Sequence, residues 1–191
     1  KLNGSKQSRI QLLSKIGEII TSEQQKLKTL KNDQFNLSQL LDQFLQQSTP
    51  IPPPDVRITR PPFKKLKGKL NRPTAGKIIR KFGQAHIGSI RSKGLVFVAK
   101  NNQPVLAVAA GKVVYSDWLR GFGMLMIIDH GNQYMSLYGQ NTSLNYEPGD
   151  WVQAQEIIAR TGSSGGKLQS GLYFELRHQG EPINPLKWLK P

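Results

Sequence analysis

The hydrophobic positions near the start of the chain recur with the spacing of one helix face. Residues 8–48 contain no proline. Steps of alternating three and four residues connect positions 13, 16, 20, 23, 27, 30, 34, 37, 41 and 44, which are Leu, Ile or Phe except for Glu23 and Gln34. Such an a/d seam predicts a coiled coil or a helical hairpin. Its partner is either a helix outside this chain or a second helix at 34–47, which would follow a break near Asn32–Asp33 and be capped by Asp33.

A different pattern begins at residue 76. Short apolar or alternating runs are separated by turns such as E-P-G-D and G-S-S-G-G. Regularly spaced short strands predict an antiparallel β sandwich or barrel over residues 76–191. Residues 49–75 are rich in proline and lysine, and we interpret them as an extended basic linker. The predicted fold is therefore a mainly β domain preceded by an α-helical coiled-coil segment, residues 1–48.

The charge balance is strongly positive, with 27 Lys and Arg against 12 Asp and Glu. This excess favours an anionic partner, such as nucleic acid, membrane headgroups or a wall polymer, without distinguishing among them. The absence of cysteine excludes disulfides and cysteine-based sites. No apolar stretch approaches the length of a membrane span. Because the chain starts at Lys1 and shows no signal-peptide pattern, we expect a processed chain or a fragment.

The β region contains an ordered set of motifs, which are F-G at 82–83, K-G-L-V at 93–96, P-V-L-A-V-A-A-G-K-V-V, I-D-H-G-N-Q-Y-M-S-L-Y-G, P-G-D-W-V, A-R-T-G-S-S-G, L-Y-F-E-L-R at 172–177 and N-P-L-K-W-L. This set resembles the LytM-type (lysostaphin-like) zinc peptidases, which cut cell-wall peptides. The resemblance covers nearly all of residues 76–191. It implies the mainly β fold of that family, whereas function has to be argued from the site.

The metal and catalytic positions of that family are all substituted in this chain. The resemblance places the first zinc-ligand His, the ligand Asp, the catalytic His and the two members of the His-x-His pair on Ser92, Val96, Gln140, Gly171 and Tyr173. None of these residues keeps the family's side chain. Zinc binds imidazole, thiolate or carboxylate groups. We therefore expect no metal, no cofactor and no catalytic residue.

The segments R-S-K-G, L-Y-G, G-S-S-G-G and L-Y-F-E follow a predicted coiled coil in this chain. This combination resembles the murein hydrolase activators. The resemblance implies a non-enzymatic protein of the Gram-negative periplasm. Such a protein switches on N-acetylmuramoyl-L-alanine amidases during cell division, and its coiled coil is recruited by the ABC-transporter-like FtsEX complex. The basic segment with Lys64, Lys65, Lys67 and Lys69 is either a solvated tether or a contact to peptidoglycan or an anionic membrane surface.

The lost metal site is expected to have become a groove for a partner. Tyr173, Glu175 and Arg177 alternate on one strand face, and Tyr138 is expected to join them because it precedes Gln140 by two residues. The predicted groove residues are Lys93, Val96, Phe122, Leu125, Tyr138, Tyr173 and Arg177. Such a surface suits an amphipathic amidase helix, although Val96 and Tyr138 could instead be core residues. We also expect that the helix at 34–47 can fold back over this groove and inhibit it.

Two rival functions remain to be weighed. A zinc endopeptidase with unusual ligands would have to use His86, His130 or His178. We expect a structural hydrogen-bonding role for His130 and an orientation away from the site for His178, whereas the loop with His86 could approach it. A nucleic-acid-binding module is suggested only by the charge, and no recognition signature supports it.

Overall fold

The computed structural model describes residues 2–47, 61–166 and 169–191. These residues contain one long helix and a series of β-strands. The helix α1 spans Leu2–Gln47, and two 3-10 helices span Phe63–Leu66 and Pro185–Lys187. The strands are β1 Lys77–Arg80, β2 Ala85–Ile87, β3 Ile90–Arg91, β4 Leu95–Val98, β5 Pro104–Leu106, β6 Gly111–Leu119, β7 Gly123–Gly131, β8 Tyr134–Leu144, β9 Trp151–Val152, β10 Ile157–Thr161, β11 Gly171–His178 and β12 Glu181–Ile183.

The strands form one large antiparallel sheet and a small hairpin. The main path of the sheet is β1-β4-β11-β8-β7-β6-β9; β12 pairs with β11, and β10 pairs with β5 and β8. Strands β2 and β3 form the separate hairpin. The predicted mainly antiparallel β fold is thus confirmed, and its centre is the set of long strands β7, β8 and β11.

The central strands bury apolar side chains on both faces of the sheet. In β7, Met126 and Ile128 belong to the main core, whereas Leu125 and Ile127 belong to a second cluster on the other face. An antiparallel sheet often leaves one face to solvent. Here the second face needs a cover, and α1 provides it.

The C-terminal half of α1 packs on this second face. Leu37 and Leu41 are fully buried there against Leu125, Ile127 and Leu137. The helix is continuous through residue 33, so the predicted break near Asn32–Asp33 is wrong. The reason is that the sheet buries the seam on this half of the helix, which makes a second helical segment unnecessary.

The N-terminal half of α1 leaves its apolar stripe exposed. Leu13 is 67% exposed, and Ile16 and Ile20 are also exposed. The seam seen in the sequence therefore has two environments, one against the sheet and one in solvent. Among the described residues, no helix combines the length and apolar character needed to cross a membrane.

Residues 61–75 belong to the β domain, which corrects their interpretation as part of a linker. Phe63 is 2% exposed and stacks on His130 and Trp188, with ring centroids 4.6 and 5.1 Å away. The backbone N–H of Leu70 donates to the Trp188 carbonyl oxygen at 3.0 Å. The proline and lysine content concealed these apolar anchors. The remaining predicted linker residues, 48–60, lie outside the described part of the chain.

Replacing Phe63 with alanine should destabilise the β domain strongly. A buried aromatic ring replaced by a methyl group costs about 3–5 kcal/mol of unfolding free energy. Urea unfolding of Phe63→Ala measures this loss. Phe35→Ala is the matched control, because Phe35 is 61% exposed on α1, and little change is expected. Equal stability of the two variants would show that residues 61–75 do act only as a connector.

Candidate functional site

Four of the five positions carried over from the zinc peptidases meet in one pocket. Ser92, Val96, Gln140 and Tyr173 all line it. Three neighbouring strands bring them together, since Tyr173 of β11 pairs with Val96 of β4 on one side and with Gly139 of β8 on the other. The sequence resemblance thus identified residues that are close in space.

The fifth position, Gly171, is closed to any side chain. A Cβ atom built on Gly171 would lie 1.8 Å from the carbonyl oxygen of Phe97 on the neighbouring strand. Without a shift of the backbone, no residue larger than glycine fits there. A histidine at this position would therefore require the strands to separate locally.

The residues that line the pocket do not fit a zinc ion. Serine, valine, glutamine and tyrosine offer no imidazole, thiolate or carboxylate at the four converging positions. Glu175 also lines the pocket, but its two oxygens are engaged by Tyr173 and Arg177. Within residues 2–47, 61–166 and 169–191, no three His, Cys, Asp or Glu side chains are grouped to hold a metal.

A buried polar chain lies along β11 beside the pocket. The Tyr173 hydroxyl donates to Oε2 of Glu175, and Nε of Arg177 donates to Oε1 of the same carboxylate at 2.6 Å. Nη1 of Arg177 donates to the Gly180 carbonyl oxygen at 2.9 Å. Burial, and then the adjacent Glu175 carboxylate, raise the pKa of Tyr173 well above its ordinary value of 10.0. The phenol therefore stays protonated and acts as a donor.

Arg177, which was predicted to be a groove residue, does not line the pocket. Its side chain is buried, at 3% exposure, and is paired with Glu175, which is completely buried. A buried carboxylate requires such partners. The Arg177 guanidinium thus stabilises the buried Glu175 carboxylate. A charge reversal of Arg177 would therefore disrupt the fold and could not test a contact with a partner.

Tyr138 lies on the opposite face of the sheet, so its predicted place in the groove is wrong. It belongs to the main core, where its ring lies 5.4 Å from that of Phe174. The Val108 N–H donates to its hydroxyl at 3.0 Å, and burial raises its pKa to about 12. The cause is Gln140, whose φ of 68° interrupts the alternation of β8, so that residues 138 and 140 do not share a face.

One face of α1 closes the pocket from above. Leu30, Asp33, Gln34 and Leu37 line it together with the strand residues. Their spacing of three, four and seven residues from Leu30 is that of a single helix face. The helix therefore covers the positions at which the resemblance places the metal-binding and catalytic residues.

Asp33 is the charged residue on this face of α1. Its side chain is 7% exposed, and its Oδ1 lies 3.6 Å from Nε of Arg120, an ion-pair distance. No hydrogen bond from the described residues reaches that oxygen. A Cβ on Gly121 would lie 2.5 Å from Oδ2 of Asp33, so glycine makes room for it. The sequence pattern predicted a capping role for Asp33. Within the continuous helix α1 the residue instead faces the pocket.

The other predicted groove residues lie around the covered pocket. Lys93 and Phe122 line it, and Phe122 packs edge-on against Tyr173 with centroids 5.4 Å apart. Leu125 lies deeper, in the cluster with Leu37 and Leu41. Arg80 also lines the pocket and was not predicted, because β1 lies outside the motifs that carry the resemblance.

Neither His130 nor His178 lines the pocket. His130 is buried on the other face of the sheet, with Nδ1 2.9 Å from the Ala110 carbonyl oxygen and Nε2 2.6 Å from Oγ of Ser136. This agrees with the structural role expected for it. His178 stacks on Tyr134 at 4.0 Å. The side chain of His86 lies outside what the structure describes.

The fold and the pocket together define a LytM-type β domain whose metal-binding positions are substituted. The sequence profile of Peptidase family M23 matches residues 91–185. The solved structure of an M23-type protein from Pseudomonas aeruginosa superposes with a TM-score of 0.62 at 17% identity, covering 85% of this chain and 61% of that one. Residues 91–185 of the β domain therefore belong to Peptidase family M23.

The curated relatives include proteins named murein hydrolase activator. EnvC of Escherichia coli (strain K12) is 41% identical over 123 residues, which cover 64% of this chain and 29% of that protein. NlpD of the same organism is 38% identical over 118 residues, covering 61% of this chain and 30% of NlpD. The chain thus spans about three tenths of the length of these relatives.

The stability of the domain should depend on the Tyr173 proton at alkaline pH. The folded state holds this proton more tightly than the unfolded chain does, so stability falls as pH rises above about 10. Tyr173→Phe lacks the proton, and its unfolding free energy should fall less steeply in that range. At neutral pH the variant should be less stable by about 1–3 kcal/mol, because Glu175 loses a donor. Urea unfolding at several pH values measures both effects, and parallel pH curves would contradict the assignment.

Proposed function

We propose that this chain is a non-catalytic activator of peptidoglycan N-acetylmuramoyl-L-alanine amidases in cell division. The observation that carries the proposal is the convergence of Ser92, Val96, Gln140 and Tyr173 in one pocket that cannot hold zinc but accepts a helix face. The names of the relatives EnvC and NlpD, murein hydrolase activators, support the same role.

The binding mode that we propose is a helix laid into a groove. The pocket already accepts one face of α1, with Leu30 and Leu37 at its lining and Leu41 buried beyond it. Helix-in-groove recognition reads anchors at this spacing. A partner helix from the amidase would take the place of α1 and contact Lys93, Val96, Phe122, Leu125 and Tyr173.

Residues 30–45 of α1, which we call the arm, would then inhibit the activator by occupying its groove. The arm and the amidase helix compete, so binding of the amidase shifts the population toward the open groove only by the difference in affinity. Asp33 supports this reading. A buried carboxylate with only a long ionic contact makes the arm bind less tightly than an apolar face would, which leaves it displaceable.

The cellular setting follows the same proposal. We place the chain in the Gram-negative periplasm, with recruitment through the FtsEX complex. The exposed stripe at Leu13, Ile16 and Ile20 is the surface that we assign to this coiled-coil contact, because an a/d seam is stable only when another helix covers it.

A charge reversal at the groove should reduce amidase activation without unfolding the domain. Lys93 lines the groove and is only partly buried, so Lys93→Glu leaves the core intact. We expect activation to fall by about tenfold or more if Lys93 contacts the partner as a central interface residue. Release of dye-labelled peptidoglycan by a purified cognate amidase measures the effect.

The matched control is Lys100→Glu, an exposed residue outside the pocket lining, which should activate normally. Normal activation by Lys93→Glu would contradict the proposed role of the groove in binding the amidase.

The peptidase activity of the chain itself is measured after chelation and zinc reloading. Stoichiometric zinc together with cleavage of wall peptides would replace the activator proposal with a peptidase one.

Release of the arm should increase activation. Leu41→Asp places a charge in the apolar contact between α1 and the sheet, which favours the undocked arm. Leu13→Asp is the control, because Leu13 lies on the same helix at 67% exposure. We expect more amidase activation and tighter amidase binding from Leu41→Asp than from Leu13→Asp or the unmodified chain.

Deleting residues 1–47 should give the same increase. A longer deletion to residue 70 would also remove Phe63 and Leu70 from the core, so it cannot separate inhibition from unfolding. Circular dichroism establishes that each variant is folded. If folded Leu41→Asp and the deletion both activate only as well as the unmodified chain, the arm is a spacer and not an inhibitor.

A further inference from the structure

Two segments distant in sequence lie side by side on the β domain, and both expose basic side chains. Residues 61–72 and 184–191 contain seven basic residues and no acidic one. All seven are exposed. They are Lys64, Lys65, Lys67, Lys69, Arg72, Lys187 and Lys190. We call this surface the basic face.

Backbone pairing holds the two segments side by side. Leu70 and Leu189 form a parallel bridge, and the Lys190 N–H donates to the Leu70 carbonyl oxygen at 2.8 Å. Below them, Phe63 stacks on Trp188. The basic residues therefore belong to segments that are already held in place. Their backbone does not have to become ordered when a partner binds.

The basic face and the groove lie near opposite ends of β11. Tyr173 lies under α1 at one end, while His178 stacks on Tyr134 at the other, and Tyr134 contacts both Phe63 and Trp188. Tyr173 and His178 are five residue steps apart along the strand, or about 17 Å. Phe63 and Trp188 also belong to the core on the other face of the sheet. A partner on the basic face would leave the groove accessible.

We propose that the basic face binds the surface of an anionic phospholipid bilayer. Six of its seven cations are lysines, which act as point charges, whereas recognition of single carboxylates or phosphates usually employs the planar fork of arginine. A cluster of lysines instead suits a dense, flat layer of headgroup phosphates. Leu186 is 38% exposed beside Lys187 and adds an apolar contact at the interface.

The same residues disfavour a nucleic acid as the partner. Single-stranded nucleic acids stack their bases on exposed aromatic rings, but Phe63 and Trp188 are 2% and 6% exposed. No helix of the basic face is long enough to enter a major groove, since the 3-10 helices Phe63–Leu66 and Pro185–Lys187 have four and three residues.

Vesicle flotation with the full chain tests the proposal. Vesicles of phosphatidylglycerol mixed with phosphatidylcholine should bind the chain, and vesicles of phosphatidylcholine alone should not. The triple variant Lys65→Glu/Lys67→Glu/Lys190→Glu should lose about tenfold or more in affinity, since each surface cation contributes separately. Binding should also weaken with added salt.

The matched control reverses three exposed lysines elsewhere, Lys28→Glu/Lys81→Glu/Lys100→Glu, and changes the net charge equally. This control should retain most of the binding. Equal losses in the two triple variants would overturn the proposal, because net charge alone would then explain the attraction. Equal binding to neutral vesicles, or retention by purified peptidoglycan or a single-stranded oligonucleotide but not by anionic vesicles, would overturn it as well.

Discussion

The contact between the C-terminal half of α1 and the second face of the central sheet is the interaction on which the rest depends. Leu37 and Leu41 cover Leu125, Ile127 and Leu137, and the same helix face closes the pocket at Tyr173. Without the helix, the apolar sheet face formed by Leu125, Ile127 and Leu137 would be open to water. One contact thus both completes the fold and covers the candidate site.

The sequence predicted what depends on local periodicity. Val96 and Tyr173 could be placed together because each lies on a regular strand, and the two are paired. Tyr138 could not, because the positive φ of Gln140 is a backbone property that its residue type does not reveal. The docking of α1 was foreseeable in part: Met124–Ile128 is apolar at every position, as expected for a strand covered on both faces.

The region before β1 shows a second limit of composition. Residues 61–75 look like a tether because proline and lysine dominate them, yet Phe63 and Leu70 are core residues. Lysines flank these anchors without entering the interior, as long charged side chains commonly do. Their charge is thereby fixed to the domain surface, and the same stretch contributes both to the core and to the basic face. Average polarity hides such an arrangement, because two or three apolar anchors are enough to hold a segment.

The closeness of Gly171 to Phe97 makes a metal ligand at position 171 difficult to restore. A zinc site lost by side-chain replacement alone could be rebuilt one residue at a time, with partial affinity at each step. Here a β carbon at position 171 would meet a carbonyl oxygen at 1.8 Å. A metal-binding side chain at this position would therefore require the main chain of two paired strands to move. That movement would separate the strands that hold Tyr173 opposite Val96. Position 171 is thus closed to a metal-binding side chain by the backbone, in addition to the side-chain substitutions at the other four positions.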